Sequence, residues 1–276
     1  MKIRELLREV IAVWSLEVRK RFWGRRALWI YLLALAPVLI CGGHSLSQMR
    51  RTHVGCTIGE DMQIYAGIFQ FFYLRLGIFF GCVGIFSNLI RADVLDKTLH
   101  YYLLTPVRRE ALIAGKYLSG LTAAVPLFVL SVAASYVLVA LHFGELQMDF
   151  LTIGPGGRHL GWYVVTTALA CAGYGAVFLL AGLLFQNPMI AAAIVTVWEA
   201  GNAFLPAVLA RISVIHYLKS LTPVDVPVDA GPFALLVAVI EPTPPEIAIP
   251  GVLALAAVAV GYACQRARRF EISYTD

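Results

Sequence analysis

Charge is scarce in this chain. Asp, Glu, Lys and Arg make up 14% of its 276 residues against 59% hydrophobic ones. With a mean hydropathy of +0.76, that balance excludes an ordinary soluble domain, where about a quarter of residues are charged. Signatures of nucleotide binding and hydrolysis are missing too. No G-x-x-x-x-G-K-[ST] loop occurs, because Gly115–Lys116–Tyr117 lacks both the earlier glycine and the hydroxyl. No H-E-x-x-H pair and no G-x-S-x-G elbow occurs either. Cysteine is limited to five, and Cys41, Cys82, Cys171 and Cys264 fall in apolar runs where a thiol behaves as a small hydrophobe. That leaves Cys56 alone outside them, so no external disulfide is expected within one chain. His44, Met49, His53, Cys56 and Met62 offer soft-metal ligands, but their spacing is loose and no metal site is expected from it. A secretory signal is not expected, since twenty-six residues containing Glu5, Glu9 and Glu17 precede the first apolar run.

What the chain has instead is long apolar runs. A spanning helix needs roughly 20 mostly apolar residues to cross about 30 Å of hydrocarbon. Six segments qualify, at about 27–46, 64–89, 117–143, 160–185, 189–210 and 247–266. The fifth is weakened by Glu199, Asn202 and Pro206. Lys and Arg near span ends stay cytoplasmic, which sets the orientation. With the N-terminus inside, sixteen of the 22 basic residues fall on the cytoplasmic side. Five (Arg50, Arg51, Arg158, Arg211, Lys219) fall outside, and Arg75 lies within the second span. The expected fold is therefore one all-α membrane domain over residues 1–276, with six transmembrane helices and both termini cytoplasmic. The net charge of +5 reads as topology and contact with anionic lipid, not as nucleic-acid binding.

Residues 1–26 form an amphipathic element. Ile3, Leu6, Leu7, Val10, Trp14 and Val18 recur at three- and four-residue spacing, which predicts a helix. Such a helix either lies in the headgroup plane, basic face to the phosphates, or packs on the protein's own loops.

The longest charged interruption is 91–116, with five basic and three acidic side chains. Leu95, Leu99, Tyr102 and Leu103 fall on one face of a short helix, and Asp93 and Lys97 are four apart in the favourable order. Thr105–Pro106 ends that helix and starts another that runs into the third span. The result is a short cytoplasmic helix, a corner, the Arg108–Arg109 pair and a stiff link to the bilayer.

Two ionisable residues lie at membrane depth, Arg75 in the second span and Glu199 in the fifth. Burying them there costs at least a few kcal/mol unless they are paired or hydrated. They either line a polar route together with Gln70 and Asn202, or form an ion pair that locks two helices.

The segment Thr98–Leu99, Leu103–Leu104–Thr105–Pro106–Val107, Arg109 and Gly115–Lys116 resembles the cytoplasmic loop of type-2 ATP-binding-cassette (ABC) exporter permeases. Asp93 matches that family's acidic position, while Lys97 replaces its usual glycine. Glu17 through Arg26 is similar to the family's basic elbow. The resemblance implies a permease subunit, not itself an enzyme, that binds no cofactor directly. ATP and Mg would sit on separate cytoplasmic ATPase subunits, and a second permease, a copy or a paralogue, would complete the pathway. Asp93, Leu95, Leu99, Tyr102, Leu103, Pro106 and Arg109 would then form the coupling segment to the ATPase. Arg75, Glu199, Asn202 and Gln70 would lie on or beside the substrate path. The outer loop 211–246, with its six prolines around an apolar strip, would be a partly inserted cap or else a surface loop. The implied location is a bacterial or archaeal plasma membrane. The rival expectation is a stand-alone channel or scaffold without ATP coupling, which would call for more polar residues at helical spacing along one span.

Overall fold

A computed structural model describes residues 2–21, 28–50, 57–95, 107–185, 187–201, 209, 211–224, 226 and 242–268. Among these residues the secondary structure is helical, with no strand. Five helices are long and apolar enough to cross a membrane, so the chain is an all-α integral membrane protein.

The elements are α1 (Lys2–Arg21), α2 (Leu28–Arg50), the composite α3, α4 (Arg109–Val139), α5 (Glu145–Thr152), α6 (Gly156–Leu184), α7 (Pro188–Ala200), α8 (Val214–Ser220) and α9 (Pro245–Arg268). Composite α3 runs without interruption through Ile58–Gly67, Ile68–Gly77, Ile78–Cys82, Val83–Ser87 and Asn88–Leu95. Two of its pieces, Ile68–Gly77 and Val83–Ser87, are wound as wider π turns. It starts at a capping box in which the Thr57 hydroxyl and the Glu60 carboxylate satisfy each other's backbone N–H groups.

Two thirds of the apolar stretch is buried in α3 and in α6, against 28% in α2 and 22% in α9. So α3 and α6 form the centre, and α2, α4 and α9 flank them. Phe86 of α3 pins the centre together. A Cβ on Gly120 of α4 or on Gly175 of α6 would come within 2.5 Å of its ring. Both helices therefore need glycine there to approach. Hydroxyls supply the lateral ties. Tyr65 donates to the Val132 carbonyl at 2.9 Å, and Tyr73 bonds Ser131 at 2.7 Å and Ser135 at 2.9 Å. Ser131 in turn donates to the Ala34 carbonyl, joining α2, α3 and α4. In hydrocarbon these polar groups have no water to fall back on, so such pairs fix the packing register.

Both chain-end helices sit at one end of the bundle. There α1 and the C-terminus of α9 meet the start of α4. The opposite end holds the C-terminus of α2, the start of α3 and the turn Leu141–Phe143 that follows α4. Helix α4 and that turn, Arg109–Phe143, count 35 residues. This is about 52 Å of helix, roughly 20 Å more than hydrocarbon needs. The expected unbroken run into the third span is present from Arg109 onward. The expected corner at Thr105–Pro106 lies outside the described residues.

Of the expected fifth span at 189–210, the described part is helix α7, 13 residues long. Residues 202–208 and 210 lie outside the described set.

Candidate functional site

Lys116 is the centre of the charged junction at the end where α4 begins. Its side chain is fully buried, and its ammonium donates to Glu17 Oε1 at 2.8 Å, to the Leu89 carbonyl at 3.0 Å and to Asp93 Oδ2. Glu17 is 1% exposed. A buried cation with a carboxylate on either side is tolerable only when each lone pair and proton is matched, and here one Nζ serves three acceptors. Gly115 makes the arrangement possible. A Cβ at that position would lie 2.7 Å from Val13 Cβ and 3.0 Å from the Val10 carbonyl. The glycine lets α1 lie against α4, and the lysine then reaches across to α3.

More contacts extend the junction outward. Trp14 Nε1 donates to Thr122 at 2.9 Å. The backbone N–H of Arg108 donates to Glu9 at 3.1 Å, and the Arg108 guanidinium lies 3.8 Å from Glu5. Arg109 donates to the carbonyls of Ala267 and Arg268 at 3.3 and 3.0 Å, covering acceptors that the end of α9 leaves open. Arg268 closes the ring on Glu110 at 2.6 Å.

Helix α1 thus lays one face on α4. Leu7, Ile11 and Leu16 remain exposed on its other side.

Of the expected coupling residues, Asp93 and Arg109 flank the 96–106 segment and bond inward, to α4 and to α9. Leu95 is the last residue of α3, with its side chain outside the described set. Leu99, Tyr102, Leu103 and Pro106 also lie outside it. The internal anchors Glu17 and Lys116 entered the sequence reading only through the resemblance, as the start of the basic elbow and as part of Gly115–Lys116.

A second polar site lies at mid-depth. Glu199, near the end of α7, accepts from the Ser213 hydroxyl at 2.7 Å and from the backbone N–H groups of Val214 and Ile215 at 3.1 and 2.9 Å. It therefore caps α8. Val214 packs on Gly173, where a Cβ would meet it at 2.8 Å. Gly173 lies about 26 Å along α6 from Gly156, counted at 1.5 Å per residue. Helix α8 thus starts beside the middle of a central helix.

Glu199 is not paired with Arg75. Among the described residues no ion pair joins them, because α8 stands at the carboxylate and supplies its donors. Arg75 instead covers the Phe71 ring at 5.3 Å on the exposed side of α3. Gln70 donates to Thr222 at 3.2 Å just past α8. Asn202 lies outside the described residues. Of the four expected intramembrane residues, Glu199 and Gln70 serve the α8 segment and Arg75 does not.

One group has the spacing of metal ligands. It consists of His44, Asp61 and His142 at the opposite end of the bundle. The chain matches no family model and no curated protein.

Proposed function

We propose that the chain is the membrane-spanning permease subunit of an ATP-driven exporter, with ATP hydrolysed by separate cytoplasmic subunits. The observation that carries this reading is the Lys116 junction. It fastens the last turn of α3, the first turns of α4 and the N-terminal helix into one unit, with the 96–106 segment strung between them. Force delivered to this junction passes directly into a continuous helix of about 46 Å. A channel or scaffold has no use for a rigid junction beside a charged loop, whereas a motor-driven permease does.

The rest of the expected plan follows from this reading. The apolar run 189–210, of which α7 is the described part, makes the sixth crossing, and α8 packs back against it at Glu199. Both termini are cytoplasmic, as the basic residues require. The part of 211–246 around α8 is the inserted cap. Arg75, exposed on a π-wound stretch of α3, faces the second permease, a copy or a paralogue.

Co-purification with a cognate ABC-type ATPase, sought first among the genes beside this one, tests the proposal. The native chain is expected to bind that ATPase and stimulate its hydrolysis, and Leu99→Asp with Leu103→Asp to lose both. Undiminished association and stimulation in the double variant would sink it.

A further inference from the structure

Three helix ends converge at the end of the bundle remote from the Lys116 junction. His44 comes from the last turns of α2, Asp61 from the first turn of α3, and His142 from the turn Leu141–Phe143. Asp61 Oδ2 is 3.3 Å from His44 Nε2 and 3.6 Å from His142 Nε2. The three donor atoms all lie within 4.8 Å of one another.

We propose that these side chains form a binding site for a divalent transition-metal ion. Donors held about 2.1 Å from a tetrahedral ion stand roughly 3.4 Å apart. The two distances to Asp61 already match. The third edge, between the histidines, closes by at most about 1.4 Å, and His44 has room to move because its side chain is 31% exposed.

The chemistry of the set selects the ion class. Two imidazoles with one carboxylate suit Zn2+ and its neighbours, while Ca2+ and Mg2+ require oxygen shells. Orientation is also built in. The Ser45 hydroxyl stands 3.4 Å from His142 Nδ1 and accepts from the His142 backbone N–H at 3.0 Å. It thus takes the Nδ1 side of the ring, leaving Nε2 toward Asp61 as a metal-bound histidine needs.

Asp61 supplies an independent indication. It is 1% exposed, and its Oδ1 is buried with no hydrogen-bond partner among the described residues. A buried carboxylate oxygen without a donor is costly, and a cation beside the group offsets that cost. Beside the cluster lies a pocket of about 430 Å³ lined by His44, Glu60, Asp61, Gln63 and Ile64. It gives an ion a way in and leaves a coordination position for water.

A bound ion would clasp α2, α3 and α4 at this end. The site depends on the fold alone, so it stands or falls separately from the exporter reading.

Zn2+ titration of tag-free, EDTA-stripped full-length protein in detergent tests the site. One Zn2+ per chain is expected, with a raised unfolding temperature and with Co2+ giving the visible absorption of a tetrahedral nitrogen–oxygen shell. Asp61→Asn and His142→Ala are expected to weaken binding at least tenfold. Should either fail to fold, His44→Ala gives the same test on the most exposed ligand. Absence of saturable Zn2+ binding overturns the proposal, as does binding unmoved by His44→Ala. A response of the cluster to pH with none to Zn2+ overturns it too, and makes the group a proton-sharing His–Asp–His bridge.

Discussion

Replacing Lys116 with Met is the sharpest test of the junction. The ammonium donates to Glu17 at 2.8 Å, to the Leu89 carbonyl at 3.0 Å and to Asp93, and its side chain has no exposed surface. Methionine fills a similar volume but donates nothing. Two carboxylates then lose the cation between them in a site closed to water. Removing one partner of a buried pair costs about 3–5 kcal/mol, and the lost carbonyl bond places the expected value in the upper half of that range. Lys116→Arg should fall between. It keeps the charge, but its planar five-donor fork does not fit a slot shaped for a compact ammonium, at a cost of about 1–3 kcal/mol. Adding Glu17→Gln and Asp93→Asn to the Met variant should recover about 2 kcal/mol, because neutral amides need no counter-ion. Unfolding in mixed micelles by SDS titration, followed by helical circular dichroism, measures all three. A Lys116→Met variant within about 1 kcal/mol of the native chain refutes the reasoning, since only a hydrated, loosely held lysine is lost so cheaply.

Other predictions follow the same geometry. Gly115→Ala should destabilise by about 1–3 kcal/mol in the same titration, and Val13→Ala should relieve much of it, because the added Cβ meets Val13 at 2.7 Å. Glu199→Leu should cost at least about 2 kcal/mol and speed hydrogen exchange at Val214 and Ile215, while Glu199→Gln retains an acceptor and costs less; unchanged exchange in the Leu variant refutes the capping role. Arg268→Ala removes a short but exposed pair with Glu110, 65% and 36% exposed, so it should change stability by less than about 1 kcal/mol. Tyr73→Phe loses the bonds to Ser131 and Ser135 and should cost about 1 kcal/mol, read as a lower unfolding midpoint.

Apolar run length made the long helices legible in the sequence, since it is set by bilayer thickness and needs no tertiary knowledge. The runs near 27–46, 64–89, 117–143, 160–185 and 247–266 each correspond to a helix, with ends displaced by a few residues. The capping role of Glu199 was legible only as a weakness in the fifth apolar run. An acid at membrane depth looks alike whether it pairs, lines a path or caps a helix; which of these it does depends on a Ser213–Val214–Ile215 turn fourteen to sixteen positions away. The grouping of His44, Asp61 and His142 was hidden for a related reason. His142 read as part of a span, and Asp61 fell just before the second apolar run, where no reading reached it. Only antiparallel packing, which no local pattern encodes, brings these residues to one corner. His44 alone of the three was singled out in the sequence, among the soft-metal candidates of its own loop.

The meeting of α7 and α8 at Glu199 has a consequence for biogenesis. An apolar helix that carries Glu199 is a poor fit to lipid until that acid finds its donors. The donors that quiet Glu199 are synthesised later and have to fold back before the acid is satisfied. Insertion of the last third of this protein therefore cannot proceed helix by helix into lipid. It has to wait, beside the translocation machinery or against α6, until α8 has emerged, and a truncation before Ser213 should leave the preceding region open to quality-control proteolysis.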